Sequence, residues 1–191
     1  MENLANWVAP IATVTTIAAA CLTASNLGSR ITGYGFITFT VGSIAWFTLG
    51  MLTGQPALIW TNIVMTALNL FGVWRWLGRQ AKVEDGASTA AETSVTQPGE
   101  TLFPASLLTR AKLIGPDGSD YGAAVDAMLG RASGEPAYLV VAGGGVAGLG
   151  ETLRRVEWKD VTVEEERLVT ALDRAGFERL EALAKDEWPG R

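Results

Sequence analysis

The sequence predicts a two-part membrane protein: a bundle of three transmembrane helices, then a small all-β domain with a C-terminal helix. Three observations lead there. From Asn3 to Trp74 the only charged residue is Arg30. That stretch holds three apolar runs, 7–26, 34–53 and 57–77, each about 20 residues, the length that carries a helix across about 30 Å of hydrocarbon. From Pro104 onward the pattern changes to short apolar segments separated by turn residues. The divisions fall at 1–80 for the helices, 81–103 for a linker and 104–191 for the β domain.

The first run is not a secretory signal: no basic residue precedes it, and two similar runs follow without a soluble gap. Orientation follows from the few cations. Arg30 lies in the loop after the first helix, and Arg75, Arg79 and Lys82 follow the third. The N-terminus and the loop "TGQP" carry none. Basic residues favour the cytoplasmic side, so the N-terminus is expected outside and residues 78–191 inside. Trp7, Trp74 and Trp76 sit near the helix ends, where indoles prefer the headgroup region.

Polar groups in the third helix stand out against this background. Asn62 and Asn69 are two turns apart and share a face, with Gln55, Thr61 and Thr66 adding further polar atoms. An amide in hydrocarbon must find a neighbouring helix or a solute. Gly28, Gly33, Gly35, Gly42 and Gly50 allow close backbone approach, within the bundle or in a homodimer.

Residues 83–103, "VEDGASTAAETSVTQPGETLF", lack an apolar period and carry no basic residue. They read as a flexible, acidic linker with a reach of about 25 Å on random-coil scaling. Beyond it, segments such as "AKLIG", "YGAAVDAML" and "AYLVVAGGG" alternate with turns such as "PDGSD" and "GRASGEP", the pattern of a β meander or small barrel. The C-terminal stretch leaves two alternatives: one long amphipathic helix from 164, or a strand at Arg167–Leu172 followed by a helix from Arg174 to Lys185 capped by Asp173.

Composition excludes whole classes of chemistry. The chain has no histidine and one cysteine, Cys21, inside the first helix. That removes internal disulfides, His–Cys metal sites and His-dependent triads. No catalytic residue, metal or cofactor is assigned, and Asp117, Asp120 and Asp126 read as turn residues and caps. Residues 83–191 hold 19 acidic and 11 basic residues, so no nucleic-acid partner is expected. "YLVVAGGGVAGLGETLRRVEW" (138–158) contains Gly143, Gly145 and Gly148 in dinucleotide-loop spacing. That motif needs a helix to open at its third glycine. Here only a short strand-like segment follows, so a glycine-rich β-hairpin is expected and no nucleotide.

The residues Gly115, Asp117–Gly118, Gly122, Asp126, Tyr138–Val141, Gly143–Gly144, Gly148, Gly150–Glu151 and Trp158 resemble the PRC-barrel family over about 104–185. That resemblance implies a small β-barrel serving as an assembly or adaptor module. It also implies bacterial inner-membrane residence and an accessory role in a larger membrane complex, such as a photosynthetic reaction centre. Other membrane or cytoplasmic proteins would be the partners. The stretch from Gly33 to Leu77 is similar to the last two helices of SemiSWEET-type, PQ-loop transporters: Tyr34–Gly35, Trp46 with Gly50, and Pro56 opening the third helix. The Pro-Gln signature of the first helix is missing. This second resemblance implies a homodimer around a sugar path, with Trp46 and Asn62 contacting the solute; Asn69 shares the face of Asn62. Two functions are therefore expected: a non-enzymatic membrane adaptor, or a small-solute transporter carrying a regulatory β domain.

Overall fold

The computed structural model describes residues 2–25, 27–145 and 150–190. The chain divides into two compact units, Met1–Gly86 and Ala87–Arg191.

The first unit contains α1 (Glu2–Ala24), α2 (Ser29–Thr53) and α3 (Pro56–Val73). Three helices, starting at Leu4, Ser29 and Pro56, are long and apolar enough to cross a membrane, compatible with a multi-pass protein. The α2–α3 link follows from local chemistry. Gly54 takes a left-handed φ of 66° and Gln55 donates its amide to the Gly50 carbonyl at 2.9 Å, closing α2. Pro56 then opens α3, where its missing N–H costs nothing. Such a tight link makes α2 and α3 antiparallel neighbours.

α2 is the central helix: it packs along both α1 and α3, which scarcely meet each other. Its glycines make this possible. A Cβ added at Gly42 would lie 3.0 Å from Thr15 Oγ1, and one at Gly72 of α3 would lie 2.5 Å from Phe36 Cγ. Gly33, Gly35 and Gly50 face Leu77, Thr23 and Ile59 in the same way. Four of the five glycines expected to serve packing or dimerisation are thus occupied within one bundle, while an added Cβ at Gly28 would meet nothing within 4 Å.

Two expectations change in this unit. Arg30 is not in a loop but in the first turn of α2, which starts at Ser29. Residues 81–94, expected as flexible coil, are helical: a π-helical stretch, Trp74–Gln80, leads into α4 (Ala81–Ser94). The lack of an apolar period does not forbid a helix where Ala and Glu supply intrinsic propensity. The start of α4 is also anchored. Ser29 donates to the Glu84 carboxylate at 2.7 Å, and Arg30 pairs with Asp85 at 2.8 Å. A carboxylate beside the N-terminus of α2 suits its dipole.

The second unit holds a seven-stranded sheet in the order β5-β6-β1-β2-β3-β4-β7. Its strands are β1 (Lys112–Ile114), β2 (Asp120–Leu129), β3 (Pro136–Gly143), β4 (Thr152–Glu157), β5 (Val161–Glu164), β6 (Arg167–Thr170) and β7 (Ala182–Leu183). All neighbours run antiparallel except β1 and β6. Strand β3 is buried on both faces. Leu139 and Val141 enter the main core with Leu113, Val156, Leu168 and Phe177. Tyr138 and Val140 enter a smaller cluster with Leu153, covered by Leu183 and Trp188. Two-sided burial explains why "YLVVA" reads as a continuous apolar run rather than an alternation.

The stretch 138–158 is a hairpin. Gly143 pairs with Thr152 in an antiparallel ladder, and Gly144 and Gly150 adopt φ of 73° and 74°. Gly148 lies outside the described residues. At the C-terminus the strand alternative holds, as β6. Asp173 caps α5 (Arg174–Glu178) by accepting the Gly176 amide at 2.6 Å. The helix expected to reach Lys185 ends after five residues, because Ala182–Leu183 pair with β4 as β7. Arg154 holds that turn by donating to the Leu180 carbonyl at 2.7 Å.

Candidate functional site

The structure places the three expected solute-contacting residues on the bundle's helix interfaces, and none of them bonds another. Trp46 of α2 is half-buried and its indole N–H donates to Thr16 Oγ1 of α1 at 3.2 Å. Asn69 of α3 is buried and its amide donates to Ser43 Oγ of α2 at 3.0 Å. Asn62 is also buried, but its amide donates to the Leu58 carbonyl of its own helix at 2.8 Å. Two of the three side chains therefore tie helices together. Among the described residues nothing donates to the amide oxygen, Oδ1, of Asn62 or of Asn69, and only the Asn62 amide makes no bond to another helix.

In the second unit the carboxylates of "PDGSDYG" shape the β1–β2 turn. Asp117 accepts the Ser119 hydroxyl at 2.6 Å and the Ser119 amide at 3.0 Å. These bonds hold its carboxyl below the ordinary value of 3.8. For Asp120, partial burial works the other way. The Lys112 ammonium at 2.7 Å and the Gly122 amide at 2.9 Å nevertheless keep it low. The same contact raises Lys112. Asp126 accepts the Ala127 amide at 2.8 Å. Asp117 and Asp120 are thus committed to the turn through backbone amides and an ion pair, whereas Asp126, expected as a turn residue or cap, lies within β2 at the register shift after Ala124.

The feature that sequence reasoning missed is an open cleft of about 630 Å³ in this unit. One wall is the end of α4 and the segment after it, with Ala91, Glu92 and Val95. The floor is Leu102, Phe103, Pro104 and Leu107, and the far lip is the β5–β6 turn with Val163, Glu165 and Glu166. The wall is pinned where Ser94 Oγ accepts the Leu102 amide at 2.8 Å. Phe103 is fixed from behind by Trp158, with ring centroids 6.1 Å apart. Val95 and Leu102 are 68% and 58% exposed, although both sit in an otherwise polar segment. That isolated pair of large apolar residues, and the "EEE" run at 164–166, were the available signals.

Glu165 adds a strained feature at the lip: its φ of 52° makes it the non-glycine residue with a left-handed backbone among those described. Glycine or asparagine fits that position in a two-residue hairpin better. Strain of this kind costs on the order of 1–3 kcal/mol and gathers at functional sites. A comparison with protein-family models finds no match, and one with curated protein sequences finds none either.

Proposed function

We propose that this chain is a non-enzymatic, multi-pass membrane protein whose C-terminal unit is a PRC-barrel-like adaptor docking another protein at the cytoplasmic face of a bacterial inner membrane. The observation that carries the reading is the open cleft, with Val95 and Leu102 presented to solvent. Apolar side chains held outward on a pinned framework are what a docking surface needs. The barrel resemblance rests on the glycine turns around Gly118, Gly122, Gly144 and Gly150, which take positive φ. The N-out, C-in orientation rests on Arg75, Arg79 and Lys82 after the third helix. Membership in a larger membrane complex fits the same reading.

Purification from native membranes in a mild detergent tests it. A partner retained in stoichiometric amount supports the adaptor, and a chain that emerges alone removes it. The second reading, a solute transporter operating as a homodimer, is favoured by Asn62. A buried amide whose oxygen has no partner among the described residues is the group a sugar hydroxyl would bond. Saturable uptake into reconstituted vesicles, lost in Asn62→Ala, would select it.

A further inference from the structure

We propose that the cleft between the end of α4 and the β5–β6 turn binds a basic, apolar-anchored segment of another protein. The inference rests on the adaptor reading and goes beyond it by assigning the surface and the chemistry of the occupant. Three observations combine. The floor is apolar, formed by Leu102, Phe103 and Leu107 with Val163 beside them, and Leu102 is largely exposed. The two lips are acidic: Glu92 stands on one side, Glu165 and Glu166 on the other. None of these three glutamates makes an ion pair or side-chain hydrogen bond among the described residues.

Geometry gives each part a role. A Leu, Ile or Phe side chain of the partner covers the floor, removing Val95 and Leu102 from water. Lysine or arginine residues flanking that anchor reach Glu92 on one lip and Glu165 and Glu166 on the other. Arg110, also in the lining, repels a lysine or arginine at the position facing it, so the basic residues of the segment must flank the anchor on the glutamate side. The left-handed backbone at Glu165 belongs to the turn that displays this carboxylate pair. A second copy of this chain fits poorly as the occupant: residues 83–191 carry 19 acids against 11 bases, so two such units repel. A basic segment is steered toward the cleft by the same field, and like charge rejects acidic competitors.

The test uses the full-length chain in native membranes with a photo-crosslinking amino acid at Leu102, and in a parallel sample at Val125 on β2. The expected result is an adduct from position 102 to a segment of another protein that carries an apolar residue flanked by Lys or Arg. Its yield should fall about tenfold when Glu165→Lys and Glu166→Lys are combined. It should stay within about twofold with Glu135→Lys, a charge reversal in the β2–β3 turn. An adduct to lipid, to another copy of this chain or to an acidic segment overturns the proposal. So does an adduct indifferent to the lip reversal, or one that forms equally at position 125. A stoichiometric partner retained on purification without any adduct at 102 refutes the cleft while leaving the adaptor standing. No retained partner refutes both.

Discussion

The Asn69–Ser43 hydrogen bond offers the sharpest division between a structural and a solute-binding role for the polar residues of the bundle. Asn69→Leu removes a buried amide donor that bridges α3 to α2 at 3.0 Å. Double-mutant cycles on interhelical bonds in membranes average about 0.6 kcal/mol with a maximum near 1.7. Ser43, left behind, can turn its hydroxyl to a carbonyl of its own helix, so the lower figure is expected. Asn62→Leu is the internal control. Its amide bonds Leu58 within α3, a contact that survives when the helices separate, so bundle stability should change by much less. The assay is unfolding of the full chain in mixed micelles, with Ser43→Ala and the double variant completing the cycle. A coupling of about 0.5 kcal/mol or more between positions 43 and 69 supports the structural role. No coupling, together with uptake in wild-type vesicles that Asn69→Leu abolishes, would refute the reasoning.

Other consequences are as direct. Leu139→Ala, at a fully buried site of the central strand, should cost the β unit about 2–5 kcal/mol, read by amide hydrogen exchange of β2–β4; a cost below 1 kcal/mol would contradict the burial. Gly144→Val should cost about 1–3 kcal/mol from strain alone, since its φ is 73° and no atom lies within 4 Å of an added Cβ. The full chain should bind no NAD or FAD at micromolar concentration. Because Asp117 and Asp120 are held below 3.8, the unfolded chain takes up their protons first as pH falls. The β1–β2 turn therefore has its full stability above that value and loses it as pH drops through the lower folded values. Asp117→Asn should blunt that acid loss, and NMR titration of the carboxyl reads it directly. With Cys21 replaced by alanine, Gln55→Cys should react with an impermeant thiol reagent from outside, and Glu135→Cys only after permeabilisation; the reverse pattern would invert the orientation.

The sequence made some of this legible and hid the rest for physical reasons. The apolar runs announced the helices because little else produces 20 uncharged residues in succession, yet their starts were misjudged. α2 begins at Ser29, five residues before the run at 34, since polar residues such as Ser29 and Arg30 extend a helix once acids from α4 satisfy them. The hairpin at 138–158 was legible because glycines at positive φ followed by a short strand have one economical solution. α4 was not, because periodicity reports a buried face and this helix has almost none. The shortness of α5 was hidden too: the propensity of "RAGFERLEALAK" favours a helix to Lys185, and only the open edge of β4 overrides it. The candidate residues Trp46 and Asn69 were visible as polar atoms in hydrocarbon, but their partners, Thr16 and Ser43, are ordinary residues that no spacing rule singles out. The cleft joins segments about 70 residues apart in the chain, from Glu92 to Glu166, and no local pattern encodes such a meeting.

The central place of α2 bears on how the protein is made. A ribosome delivers these helices one at a time, and each newcomer here has its neighbour already waiting. α1 and α2 can zip together through Gly35 and Gly42 as a hairpin, before α3 emerges from the ribosome. α3 then docks on the face of α2 left vacant, with no need to prise the first pair apart. A bundle wired in synthesis order keeps each unsatisfied amide, Asn69 in particular, exposed to lipid only for the brief interval between the emergence of its own helix and contact with Ser43.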